Sequence, residues 1–256
     1  LHLAAEKGQI EAFKTAFSEE EDKNIKNEKG QTSFHLACMH GRFEIVQVLL
    51  ENIDPKINIT TEDNHNRLLD LVNIFMENAA KLSFDDHNID INAKSYYGCT
   101  AFSLACQKGH SDVVKLLIEN AVAFCIDLNV KDNSGKTAFC WACVFGHSDV
   151  VKIIMKNAGN VNIDLNAKDD YDKTAFLCAC QKGYTDVVKV FMENAATFVI
   201  DFNTKDKSGS TGFHWVCESG FTDLVKIFME NAATFNIDLN TIDCKGRTAF
   251  YRACAK

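Results

Sequence analysis

From residue 100 onward, short apolar stretches alternate with amphipathic ones. Thr137-Ala138-Phe139-Cys140-Trp141-Ala142-Cys143 is almost wholly apolar, and Thr137 opens it as a helix N-cap. Gly146 follows, free to take positive φ where that helix stops. Ser148-Asp149 predicts a second helix, with a hydroxyl cap and an acid that the helix dipole favours. Val150, Val151, Ile153, Ile154 and Met155 supply its apolar face, and Lys152 and Lys156 mark its wet side. Asn157 begins the exit. Ile163-Asp164-Leu165-Asn166 and Asp169-Asp170-Tyr171-Asp172 then predict a β-turn or small hairpin before Thr174. Each unit is therefore helix, tight turn, helix, projecting loop.

The unit recurs. Thr100-Ala101-Phe102 returns as Thr137-Ala138-Phe139, Thr174-Ala175-Phe176, Thr211-Gly212-Phe213 and Thr248-Ala249-Phe250, always at a step of 37 residues. Cys106, Cys143, Cys180, Cys217 and Cys254 keep the same step. Such a period predicts an all-α solenoid with short hairpin loops, each unit burying its apolar face against its neighbours. The boundaries expected are 1–26 (partial), 27–57, 58–94 (degenerate), 95–131, 132–168, 169–205, 206–242 and 243–256 (partial). The irregular place is early: Thr32 to Thr100 is 68 residues, and the 58–69 segment lacks the first-helix motif although Asp70–Ala79 reads as a second helix. A weak point or bend is expected there.

Composition narrows the class. A net charge of −8 argues against a nucleic-acid backbone or anionic membrane as main partner and favours a basic protein. No stretch approaches the roughly 18 apolar residues of a membrane span. The chain opens inside a motif at Leu1-His2-Leu3-Ala4-Ala5 and closes inside one at Ala253-Cys254-Ala255-Lys256, which reads as a piece of a longer protein. Of its 11 cysteines, those at equivalent positions should stack roughly 10 Å apart, as packed helices do. A bridge needs Cα atoms within about 7 Å. Reduced core cysteines are therefore expected, and with them an intracellular location, cytoplasmic or nuclear.

Thr32-Ser33-Phe34-His35-Leu36-Ala37-Cys38, Gly109-His110, Gly146-His147, Val113-Val114-Lys115-Leu116-Leu117 and the four exits Ile126–Asn129, Ile163–Asn166, Ile200–Asn203 and Ile237–Asn240 resemble the ankyrin repeat family over nearly the whole chain. The resemblance implies a non-catalytic scaffold that binds a partner protein on its concave face, without cofactor. It also fits a cytosolic arm of a channel or receptor, or a regulatory module beside a catalytic domain. Four departures stand out. The step exceeds the family's 33 by four residues, which predicts one more turn on each second helix, weakest at Gly159-Asn160-Val161-Asn162. Proline is missing at the helix start, with Gly212 there once. Asp172 replaces the tip glycine of one unit, and the 68-residue step is the fourth.

Candidate chemistry is sparse. Cys140-x-x-Cys143 and Cys178-x-Cys180 lack the partner pair of a zinc site and read as core. His35 and His214 read as structural, sharing hydrogen bonds with Thr32 and Thr211 as the resemblance implies. Asp90, Asp127, Asp164, Asp201 and Asp238 are too far apart to share a cation and suit turns. By the resemblance, their Asp-x-Asn exits are also candidates for asparaginyl hydroxylation, though the insertion disturbs the spacing. Trp141 and Trp215 stand in for a buried leucine. The protein-binding candidates are the hairpin tips Tyr96, Tyr97, Asn133, Ser134, Asp170, Tyr171, Lys207 and Ser208, together with Phe145, an aromatic expected on the concave side. Truncation after the last first helix should leave Phe228, Met229 and Phe250 poorly covered.

Overall fold

The computed structural model describes residues 1–52 and 89–255. Within them the chain forms thirteen helices in two rows. The first-helix row is α1 (His2–Lys7), α3 (Ser33–Met39), α5 (Ala101–Lys108), α7 (Ala138–Val144), α9 (Ala175–Lys182), α11 (Gly212–Ser219) and α13 (Ala249–Cys254). The second-helix row is α2 (Ile10–Glu19), α4 (Phe43–Glu51), α6 (Ser111–Glu119), α8 (Ser148–Val161), α10 (Thr185–Asn194) and α12 (Thr222–Asn231). Each helix packs on its neighbours in its own row and on its partner in the other row. Hairpin loops precede the first helices; among the described residues the only β pairing is an isolated bridge between Ile242 and Thr248.

Local chemistry sets these boundaries. Thr32, Thr100, Thr137, Thr174 and Thr248 are extended N-caps whose hydroxyls accept the backbone N–H three residues on, a bond of about 1 kcal/mol each. The second helices start differently from expectation. Ser148 is already the first helical residue, its N–H bonded to the Gly146 carbonyl, and the capping position is His147, which makes no side-chain cap bond. The Gly-His turn, not the hydroxyl, sets the start, while Asp149 keeps its place in the positively polarised first turn. The extra turn also corrects the expectation. It is fully α-helical only in α8, the version that carries Gly159. Elsewhere it is a hydrogen-bonded turn, as where the Phe124 N–H meets the Asn120 carbonyl and the Ile126 N–H the Ala121 carbonyl. Asp172, at φ 59°, does take the left-handed place of a tip glycine.

The core runs between the rows. Phe34, Phe102, Phe139, Phe176 and Phe213 are at most 3% exposed, and Cys38, Cys106, Cys143 and Cys180 are wholly buried beside them. Burying one such phenyl is worth about 1.5–3 kcal/mol. Phe176 meets the rings of Phe191, Phe202 and Phe228. This crowding accounts for Gly212: a Cβ there would lie 3.0 Å from Cys180 Sγ and 3.1 Å from Phe176. At the last unit Met229 and Phe250 are half exposed as expected, but Phe228 is wholly buried against Phe176 and Phe213.

The degenerate unit expected over 58–94 lies almost wholly outside the described residues. The helices on either side of it are neighbours: α3 packs directly on α5, and α4 on α6. The 68-residue step from Thr32 to Thr100 thus corresponds to a single step of the stack.

Candidate functional site: the hairpin and first-helix wall

Hairpins and first helices together make one continuous wall. Its skeleton is a set of carboxylates that the sequence reading passed over. Asp132 Oδ1 accepts the N–H groups of Ser134 and Lys136, Asp169 those of Tyr171 and Lys173, Asp206 those of Ser208 and Ser210, and Asp243 those of Lys245 and Arg247. Each acid closes its loop as an Asx-type turn. Their signal was available: they recur at the same 37-residue step, five positions before each Thr.

The second carboxylate oxygen reaches the first helix. Trp141 Nε1 donates to Asp132 Oδ2 at 2.8 Å, and Trp215 Nε1 to Asp206 Oδ2 at 3.0 Å. The tryptophans are therefore half-buried wall residues with satisfied indoles, not core replacements for leucine. In the last unit Arg252 occupies this position. Its guanidinium binds Asp243, Glu218 Oε2 at 2.9 Å and Ser210 Oγ at 2.8 Å. Burial alone would raise the Asp243 carboxyl, but the Arg247 N–H and the Arg252 and Arg247 side chains hold it well below the usual carboxylate range. In the Cys178 unit no such donor exists; Asp169 instead pairs with Lys136 of the preceding hairpin at 3.4 Å. Burial works against the Lys136 charge, and the Asp169 carboxylate outweighs it and raises the ammonium's pKa.

Successive hairpins are tied tip to tip by backbone bonds: Asn133 N–H to the Tyr97 carbonyl, Asp170 to Ser134, Lys207 to Tyr171 and Cys244 to Ser208. Tyr96, Tyr97 and Tyr171 are 67%, 69% and 61% exposed. Asn133, Asp170 and Lys207 are also exposed, although Asn133 Nδ2 is bonded to the Tyr96 carbonyl. The hydroxyls of Ser134 and Ser208 are directed inward to Asp132 and Asp206. Phe145 is 46% exposed and stacks between Trp141, with centroids 5.7 Å apart, and His147 at 6.3 Å. Its chain neighbour Val144 lines a depression of about 220 Å³ together with Lys136, Asp169, Tyr171, Lys173, Cys178, Gln181 and Lys182.

The histidines are structural. His35 Nδ1 accepts the Thr32 N–H, so Nε2 carries the proton and donates to the Cys99 carbonyl at 3.0 Å. His214 repeats this with Thr211 and the Arg247 carbonyl. Burial lowers the pKa of both. His110, His147, Tyr184 and Phe221 each lie under the turn glycine of the preceding unit; a Cβ on Gly109 would come within 2.6 Å of the His147 ring.

The exits form a second ladder. Asp127 and Asp164 cap their own turns, with Oδ1 accepting the N–H two residues on. Asn92, Asn129, Asn166 and Asn203 link units: each Oδ1 accepts the next unit's Asp N–H, and each Nδ2 donates to a carbonyl of Cys125, Asn162, Val199 or Asn236. Among the described residues no three His, Cys, Asp or Glu side chains converge as a metal site, and no helix is long and apolar enough to cross a membrane.

The chain is 42% identical over 50 residues to the Probable E3 ubiquitin-protein ligase XBOS33 of Oryza sativa subsp. japonica, a match covering 20% of this chain and 10% of that protein. It is 28% identical over 117 residues to the Putative ankyrin repeat protein YahD of Escherichia coli (strain K12), covering 45% of this chain and 57% of the relative. The chain thus spans well under two thirds of either. The family defined by ankyrin repeats in three copies matches residues 1–72, 64–169 and 121–201. The recurring Thr–His bonds, the glycine turns that seat a ring from the next unit, and that match have one conclusion: the chain belongs to the ankyrin repeat family.

Proposed function

We propose that the protein is a non-catalytic scaffold that binds a partner protein on the hairpin and first-helix wall, the concave side of the stack. Ankyrin repeats are generally protein-interaction modules, and the observation that carries the reading here is Phe145. A large aromatic held half exposed between Trp141 and His147 keeps apolar surface in water, a cost that is relieved when another surface covers it. Tyr96, Tyr97 and Tyr171 extend the apolar contact along the tips. The first helices are short and pack more closely with one another than the second helices do, which supports curvature toward the wall.

Whole-chain acidity favours a basic partner. The use of cysteine as a small apolar residue at equivalent places of the repeat supports a reducing compartment, the cytoplasm with the nucleus as the alternative. Whether the scaffold is an arm of a channel or receptor, or a module beside a catalytic domain, is decided outside these residues.

The test uses the purified chain as bait and measures Kd for the partner it retains. Phe145→Ala and a combined Tyr96→Ala, Tyr97→Ala and Tyr171→Ala variant should each weaken binding at least about tenfold, or about 1.4 kcal/mol. Lys115→Ser, on the far face of α6, should leave it unchanged. Equal affinity for wild type and both wall variants would rule the wall out.

A further inference from the structure

Cysteines at equivalent positions of successive repeats stand too far apart to bridge. Cys140 and Cys178 are not equivalent: one is the third residue after its Thr, the other the fourth. That offset turns them toward each other across adjacent first helices α7 and α9, with Sγ atoms 3.7 Å apart. The corresponding pairs at other junctions are Ser103 with Trp141, Leu177 with Trp215 and His214 with Arg252, so this junction alone among them carries sulfur on both sides. Cys178, 4% exposed, is among the residues lining the 220 Å³ depression, which is wide enough to admit a small oxidant; Cys140, 2% exposed, is not.

We propose that Cys140 and Cys178 are an oxidative modification site, a dithiol that a peroxide converts into a reversible disulfide joining two repeats. The sulfurs need to close only from 3.7 Å to about 2.05 Å, which side-chain rotation and a slight approach of α7 and α9 supply. Cys178 is the attacking group. Its thiol is held below its ordinary value by the hydrogen bond it shares with Cys140 and by Lys173 and Lys136, against burial and the charge of Asp169. Its thiolate attacks one peroxide oxygen; the S–O bond forms, the O–O bond breaks, and the departing hydroxide leaves as water. Cys140 then gives up its proton and attacks the Cys178 sulfur, forming the S–S bond and expelling the sulfenic oxygen as a second water. Two electrons pass from the two thiols to the peroxide, and a thiol reductant reverses the change. The other core cysteines lack this arrangement: Cys38, Cys106, Cys143 and Cys180 are wholly buried, and burial raises each thiol.

The chain is treated with hydrogen peroxide under native conditions, free thiols are alkylated in denaturant, and tryptic peptides are mapped without reduction. The expected product joins the peptides 137–152 and 174–182, with fragment ions placing the bond at Cys140 and Cys178, and dithiothreitol removes it. Cys140→Ser should abolish the link and leave a sulfenic acid at Cys178 that dimedone traps; Cys178→Ser should abolish both products. The proposal is overturned if Cys140 and Cys178 both remain alkylatable while exposed Cys125, Cys244 and Cys254 oxidise. It is equally overturned if the link falls on Cys143 or Cys180. The wild-type map decides the matter even if a variant fails to fold.

Discussion

Two junctions of the stack differ in connectivity. Counted from their exits, residues 89–125 and 126–162 follow one another directly in the chain, whereas residues 24–52 and 89–125 are separated by residues 53–88. Their interfaces nevertheless carry the same bonds. Asp127 N–H meets Asn92 Oδ1 at 2.9 Å in the continuous junction, and Asp90 N–H meets Asn24 Oδ1 at 2.7 Å in the interrupted one. His147 Nε2 reaches the Gln107 carbonyl at 2.9 Å, and His110 Nε2 the Met39 carbonyl at 2.9 Å. The tip bond of Asn133 to Tyr97 is matched by Tyr96 to Lys29, both 3.1 Å. The lysine contacts, Lys94 to the Lys131 carbonyl and Lys26 to the Lys94 carbonyl, are both 3.3 Å. Docking of repeats is therefore specified by the residues on their faces, not by chain continuity. The entropic cost of a longer connection rises only logarithmically, by about 0.6 kcal/mol per doubling, so local surface chemistry easily outweighs it.

Matched substitutions on either side of the two junctions test this equivalence. Phe34→Ala and Phe102→Ala should have the largest effect, each losing about 3–5 kcal/mol in urea unfolding, since both rings are nearly fully buried at equivalent positions. A much smaller loss for Phe34→Ala would mean that residues 24–52 are not part of the same cooperative stack.

Next come Gly41→Ala and Gly109→Ala. Both glycines have positive φ, and a Cβ on either would stand 2.6 Å from the ring of His110 or His147. Losses of about 1–3 kcal/mol are expected at each, and a Gly41→Ala variant as stable as wild type would break the comparison.

Acidification probes the junctions without mutation. Burial keeps His35 and His214 neutral in the fold, with pKa values below the ordinary 6.5. The unfolded chain then binds more protons, so their stabilisation is complete above pH 6.5 and falls away as pH drops from 6.5 through the lowered folded values. The urea midpoint should decline between about pH 7 and about pH 5, and less so when both histidines are changed to Gln. An unchanged slope in that double variant would show that neither ring matters.

Asn24→Ala should be the mildest, costing about 0.5–1.5 kcal/mol for the bond to the Asp90 N–H. Asn92→Ala, which removes the matching bond to the Asp127 N–H, should cost a similar amount. Similar hydrogen-exchange protection of the Asp90 and Asp127 amides in the parent protein would sharpen the same point.

The helices were legible in the sequence because their signals are local. Thr137 capping α7 and the Val150-Val151-x-Ile153-Ile154 face of α8 need no knowledge of the rest of the chain. The start of α8 at Ser148 and its continuation through Gly159 were not, since there the turn geometry and the neighbouring unit overrule residue preference. The candidate wall was partly legible. Exposure of Tyr96, Tyr97, Tyr171 and Phe145 follows from their places in the repeat. The inward turn of Ser134 and Ser208 and the pairing of Trp141 and Trp215 with Asp132 and Asp206 depend on how each loop folds over its helix.

The amino-acid order alone determined the repeating unit, its class and the faces that must be buried, because capping, periodicity and glycine turns act over a few residues. Only the packed stack decided which units touch, which polar atoms find partners and which two sulfurs meet. Those are distances between segments far apart in the chain, and a one-residue offset such as that between Cys140 and Cys178 acquires chemical meaning only once the helices carrying them lie side by side.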